Sequence, residues 1–248
     1  MDLTGRTALI TGGARNIGRA IAEALAAGGA AVAINARTSL AEAEAAAAAI
    51  EAAGGTAHVV PGDITSERDV AAIVAATVAR FGGLDILVNN AAVRREVAID
   101  ELDLPRWREA MAVMLDGPFL CIKAALPYLR KSSAGTIVNI GGMTAASGAR
   151  QRAHVVSAKA GLEGLTRALA LDLAPDRITV NCVSPGLIGT VRDPALPLPA
   201  THKNRTLPLG QLAPPVEVAA MVRHLCGPAA RFITGQVIHV NGGNYLGG

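Results

Sequence analysis

Aromatic side chains are scarce in this chain: one tryptophan, two tyrosines and three phenylalanines make up 2% of its 248 residues. With 51% of the residues apolar, a core must be built from Ala, Val, Ile and Leu. Cysteine is nearly as rare, and Cys121, Cys182 and Cys226 sit singly in apolar surroundings. Without a CxxC pair or a Cys/His cluster they suggest no zinc site and no disulfide framework, and they suit a reducing compartment. His58, His202, His224 and His239 show no metal-ligand spacing, so no metal is expected. The net charge of +3 is small, and no basic run carries interleaved aromatics, which argues against nucleic acid as a partner. No unbroken apolar run approaches the ~20 residues of a membrane span. The opening MDLTGR has no leader character. The expectation is a cytoplasmic protein that acts on a small molecule, with neither membrane nor nucleic acid as partner.

What the chain does have begins at residues 7–18, TALITGGARNIG. Ala8, Leu9 and Ile10 read as a short buried strand, Gly12 and Gly13 force a turn, and Gly18 opens an alanine-rich helical run. Strand, glycine turn and helix together bring free backbone N–H groups and a helix dipole to one point, where a pyrophosphate can sit. The pattern then alternates. Strands are expected at 31–36, 56–60, 84–88, 136–140, 178–183 and 237–240, and helices at 41–53, 66–81, 105–129 and 155–173. Alternating strands and helices with short links predict an α/β fold: a single doubly wound Rossmann-like domain over 1–248, with a central parallel sheet of about seven strands. Residues 186–215 break the pattern. They are proline-dense and irregular, which reads as a substrate loop or lid.

Taken in order, these pieces resemble the short-chain dehydrogenase/reductase family, close to the 3-oxoacyl-carrier-protein reductase type. The marks are TGGARNIG at 11–18, Asp63-Ile64 after the third strand, NNAA at 89–92 and Lys159-Ala160-Gly161. Asn181 to Gly186 with Thr190, Thr234-Gly235-Gln236 and Asn241-Gly242-Gly243 complete the set. The resemblance runs from Leu3 to the C-terminus. It implies a homotetramer or dimer packed through the two long helices, and a nicotinamide dinucleotide as cofactor.

The family's cofactor roles fall on matching positions. Gly12 and Gly18 allow close approach to the phosphates, with Ile17 between them in the loop. Asn16 stands where the family usually has glycine, and asparagine tolerates positive φ. Asp63, with Ile64 beside it, would hold the adenine, and Asn90 and Ala91 the ribose side. Pro185, Gly186, Ile188 and Thr190 would hold the carboxamide end. NAD-specific members carry an acid at the end of the second strand. Here that end reads Asn35-Ala36-Arg37-Thr38. Arg37, and Arg15 in the glycine loop, suit a 2′-phosphate instead, since a guanidinium matches phosphate geometry. The cofactor expected is NADP(H).

The catalytic positions depart from the family. Its tyrosine lies four residues before the lysine, where this chain has Val155. Its serine position is Gly142, and its asparagine position is Met114. Lys159 alone remains, expected to hold the cofactor ribose. A ketone reduction needs an acid, and two groups are candidates: His154, which reaches the site only if its helix begins at or after it, and Lys159 itself. Thr144 is a stand-in for the missing hydroxyl. A protonated imine would need no acid. Arg94 and Arg95 follow strand four, and Arg150 and Arg152 follow strand five, at the strand ends where such sheets bind ligands. Together they would suit an anionic substrate.

The function expected is therefore an NADP(H)-dependent oxidoreductase with a non-standard site acting on a carbonyl or imine. An inactive cofactor-binding regulator and a non-redox lyase or isomerase are the alternatives. The distinction turns on whether a pocket opens there or Met114, Met143 and Val155 fill it.

Overall fold

The computed structural model describes residues 2–190 and 208–247. Seven parallel strands form one sheet: β1 (Thr7–Ile10), β2 (Ala31–Ala36), β3 (Thr56–Pro61), β4 (Ile86–Asn89), β5 (Thr136–Ile140), β6 (Thr179–Pro185) and β7 (Val237–Val240). Their order is β3-β2-β1-β4-β5-β6-β7. Helices α1 (Asn16–Ala27), α2 (Leu40–Ala52) and α3 (Glu67–Phe81) connect the first four strands. Then come α4 (Leu104–Met111), α5 (Gly117–Leu129), the short α6 (Thr144–Ser147), α7 (Ala153–Asp172) and α8 (Pro215–Cys226).

A parallel sheet with helices on both faces buries its strands twice over, so they read as apolar runs rather than as alternations. Successive side chains still part company. Ala8 and Ile10 of β1 join a core with α1, α2 and α8, while Leu9 between them joins the opposite core with α3, α5 and α7. All three cysteines are buried, and burial pushes each thiol up to about 12, so they stay protonated.

Most expected elements fall within a residue or two of their observed bounds, and the differences have local causes. Ser66 caps α3 as read, accepting from the Asp69 N–H at 3.2 Å. The long helix expected from residue 105 runs continuously over Leu104–Leu129, but a π turn at Ala112–Asp116 interrupts its register. Asp103 opens it, accepting from the Arg106 N–H at 2.9 Å. By length and composition alone that helix is long and apolar enough to cross a membrane, although charged residues such as Arg108, Asp116 and Lys123 interrupt its apolar runs. Here it packs against α3, β4 and α7. Helix α7 starts at Ala153, two residues earlier than expected. Helix α8 was not foreseen, although Pro215 in its first turn and Gly227 just past its end mark both boundaries. It packs against α1. Of the expected lid, residues 191–207 lie outside the described residues. Its two described ends meet: the Gly189 N–H donates to the Ala213 carbonyl at 2.9 Å.

Candidate active site

The chain leaves β1 toward β2 on one side, and β4 lies on the other. That reversal opens a crevice beyond the carboxyl ends of the strands. Two adjoining cavities occupy it, of about 570 Å³ and about 130 Å³. Ile17, Asn90, Arg94 and Thr190 line both, so they form one continuous site.

The larger cavity rests on the glycine turn. Gly12 takes φ +60°, and a Cβ there would stand 2.9 Å from the Ala91 Cα. A Cβ on Gly18 would come within 2.3 Å of the Gly12 carbonyl oxygen and 2.5 Å of the Asn90 Nδ2. Only bare backbone fits this turn. Asn16 adopts φ +51°, the left-handed conformation for which asparagine is suited. Asn90 braces the turn from the end of β4, its amide donating to the carbonyls of Thr11 (3.0 Å) and Gly12 (2.9 Å). The N-terminus of α1 faces this loop with no acidic side chain in its first turn.

Arg15, Asn35, Arg37, Thr38, Asp63, Ile64 and Ala91 line the same cavity. Asn35 also braces the β2–β3 edge, donating to the carbonyls of Val60 and Gly62, both at 3.1 Å. Arg15 pairs with Glu42 at 3.8 Å. Arg37 pairs with Asp63 at 3.1 Å. Burial raises the Asp63 pKa, but hydrogen bonds from the Thr65 backbone and hydroxyl and from Arg37 outweigh it and hold the carboxyl below its ordinary value. These residues fit a phosphorylated dinucleotide: a cradle closed to any Cβ, a helix N-terminus without competing acid, and two guanidinium groups at the far wall.

The smaller cavity is lined by Met114, Gly142, Met143, Thr144, Arg152, Val155, Lys159, Pro185, Gly186, Leu187 and Ile188, besides the shared residues. Val155 and Lys159 stand one helical turn apart on α7 and face it together. Lys159 is only 6% exposed. Its ammonium donates to the Ile140 carbonyl at the end of β5. Burial is the main force lowering its pKa to about 8; the nearby Arg94 charge also lowers it, and Cys182 opposes the shift. Met114 is fully buried in the π turn and packs with Ala110, Val155 and Ala158. The methionines and Val155 form a wall, and the cavity stays open. A Cβ built on Gly142 would find only the Thr144 hydroxyl, 4.0 Å away. No carboxylate is among the described lining residues.

Other expected residues go elsewhere. Because α7 begins at Ala153, His154 lies inside the helix, about 100° around from Val155. It is 2% exposed, lines neither cavity and hydrogen-bonds the backbone of Arg95. Burial holds its imidazole below the ordinary histidine pKa, so it is neutral near pH 7. The four arginines do not converge. Arg94 and Arg152 line the cavity, Arg95 pairs with Glu109 at 3.3 Å, and Arg150 is exposed. Sequence reasoning missed Thr11, whose hydroxyl accepts from the Asn90 and Ala91 N–H groups at 3.0 and 3.2 Å.

A doubly wound sheet with this glycine turn and a buried lysine beside it defines a dinucleotide-binding oxidoreductase, and the chain belongs to the short-chain dehydrogenase/reductase family. Residues 12–244 match the family profile described as Enoyl-(Acyl carrier protein) reductase. The chain is 36% identical over 242 residues to 3-oxoacyl-(acyl-carrier-protein) reductase FabG of Staphylococcus aureus, covering 97% of this chain and 98% of that one. A dehydrogenase/reductase from Sinorhizobium meliloti superposes with a TM-score of 0.93 at 36% identity, over 98% of this chain and 97% of its own. A short-chain dehydrogenase from Burkholderia cenocepacia, solved in complex with NADP, gives 0.92 at 37% identity, over 98% and 99%.

Proposed function

We propose that this chain is an NADP(H)-dependent oxidoreductase that reduces a small carbonyl or imine substrate, preferably anionic, with Lys159 as the proton donor in place of a tyrosine. The smaller cavity carries this reading. It is open, its wall holds Lys159, Arg94 and Arg152 with no carboxylate among the described lining residues, and it includes Val155 and Gly142, the residues that the sequence resemblance sets at the family's tyrosine and serine positions.

NADPH, held by the glycine turn with Arg15 and Arg37, would supply a hydride to the substrate carbon. Lys159 gives a proton to the oxygen or nitrogen that gains the electron pair, and becomes a neutral amine. A lysine with a pKa near 8 is mostly charged at pH 7 yet releases its proton more readily than an ordinary lysine. Arg94 and Lys159 favour the negative charge that develops on a carbonyl oxygen. The same wall repels a preformed iminium, so the carbonyl is the better substrate. Arg15 and Arg37, with no acid at the end of β2, support NADP(H) over NAD(H), as does the NADP complex of the Burkholderia relative. Exposed Leu104, Phe119 and Leu171 on α4, α5 and α7 support assembly as a dimer or tetramer through these helices.

The test is NADPH consumption against ketones, oxo acids and cyclic imines, with Lys159→Ala alongside. Turnover lost in Lys159→Ala supports the assignment, and turnover that survives it removes Lys159 as the donor. NADPH binding without turnover across the panel points instead to a cofactor-binding regulator. Conversion of a substrate with NADPH unchanged points to a lyase or isomerase.

A further inference from the structure

The loops after β4 and β5 are fastened together at the rim of the smaller cavity. The Val97 N–H donates to the Gln151 carbonyl at 2.8 Å. Beside it, Arg152 donates to one oxygen of Glu96 through Nε at 3.1 Å and Nη2 at 2.9 Å. Gln151 takes φ +57°, a conformation costly for a residue with a side chain. That strained residue immediately precedes Arg152, and the Arg152 side chain is 16% exposed.

Four of a guanidinium's five N–H groups lie in pairs on two edges, each edge matching a carboxylate. Glu96 takes the edge formed by Nε and Nη2. The second edge, Nη1 with the other Nη2 hydrogen, makes no hydrogen bond among the described residues. Arg152 lines the cavity together with Arg94 and Lys159. Glu96 therefore orients Arg152 and leaves a planar two-donor fork beside the reacting centre.

We infer that Arg152, aligned by Glu96, is the substrate-recognition residue of this site and that it binds the carboxylate of a small oxo acid. The inference rests on the reductase reading for the identity of the oxo group. The fork itself calls only for two coplanar oxygens.

The test is calorimetric titration of the full chain saturated with NADP⁺, where no hydride is available and binding is read without turnover. The ligands are 2-, 3- and 4-oxo acids of three to six carbons, each paired with its amide. The wild type is expected to bind at least one acid ~30-fold tighter than its amide, the size expected of a charge-assisted bidentate pair. Arg152→Gln should reduce that preference below about threefold while NADP⁺ affinity and melting temperature are kept. Arg152→Lys keeps the charge without the fork and should still lose about fivefold or more.

The inference is overturned if no acid is preferred over its amide, if the preference survives Arg152→Gln, or if acid and amide weaken equally, as a purely structural arginine would produce. A phosphonate of matching length that outbinds the acid overturns the carboxylate assignment. Acid preference in a protein that never oxidises NADPH keeps the fork and removes the reductase. Turnover without acid preference does the reverse.

Discussion

Val155 stands four residues before Lys159 on one face of α7, and an apolar stub thereby borders the cavity where a buried ammonium waits. The pair sets what α7 offers the cavity: a poorly hydrated ammonium with an aliphatic side chain, not a phenol, one turn before it.

The proposed role of Lys159 predicts a pH dependence of reduction. The ammonium would be the active form, and its pKa lies near 8. The rate should be flat below pH 7 and fall tenfold per pH unit well above 8. Initial rates in NADPH oxidation from pH 6 to 10 measure this. A profile still flat at pH 10 removes Lys159 as the acid.

The same burial makes Lys159 a stability cost. Its folded pKa, about 8, lies below the ordinary 10.5. The unfolded chain binds more protons between these values, so stability rises with pH across that window, and the penalty is fully present below pH 8. Lys159→Met should be more stable than the wild type at pH 7 by ~1–3 kcal/mol, partly offset by the lost bond to Ile140. The gain should vanish by about pH 10.5. Denaturant melts at both pH values would show it.

Gly142 and Val155 together offer a gain of function. The space at the Gly142 Cβ position is open, so Gly142→Ser fits without displacing backbone. The double variant Gly142→Ser/Val155→Tyr should raise kcat/KM for neutral ketones by ~100-fold, the contribution of a placed general acid. An unchanged kcat/KM in a folded double variant would mean the cavity does not present substrate to α7.

Arg37 should govern nucleotide choice. Its pair with Asp63 is exposed and adds little stability. Arg37→Ala is expected to weaken NADPH binding by ~10- to 100-fold and NADH binding by less than about threefold, because only the former carries the 2′-phosphate. Fluorescence titration with both nucleotides decides it, and equal loss for both would place the phosphate elsewhere.

A buried amide network joins β4, β5 and α7. Asn139 accepts from the Asn89 amide at 2.8 Å and donates to the Thr166 hydroxyl at 2.9 Å. Asn139→Leu strands the Asn89 amide, while the Thr166 hydroxyl keeps its bond to the Leu162 carbonyl at 2.8 Å, and should cost ~1–3 kcal/mol, with nucleotide affinity kept in the surviving folded protein. A urea midpoint equal to that of the wild type would contradict it.

The sequence by itself determined the alternation of strands and helices and the glycine turn. Those features are local: a strand's apolar run, a turn that only glycine or asparagine can make, and a cap such as Ser66 act within a few residues of themselves. It also set Val155 one helical turn before Lys159, because the two lie at a fixed distance along the chain. Only the tertiary structure decided which charged side chains reach the site. A start of α7 at Ala153 rather than 155 carried His154 about 100° away, into the packing behind Arg95. Glu109, on a helix remote from the loop in sequence, drew Arg95 off, while Glu96 held Arg152 at the rim. The lowered pKa of Lys159 likewise depends on the whole sheet, because desolvation sums over every element packed around the ammonium.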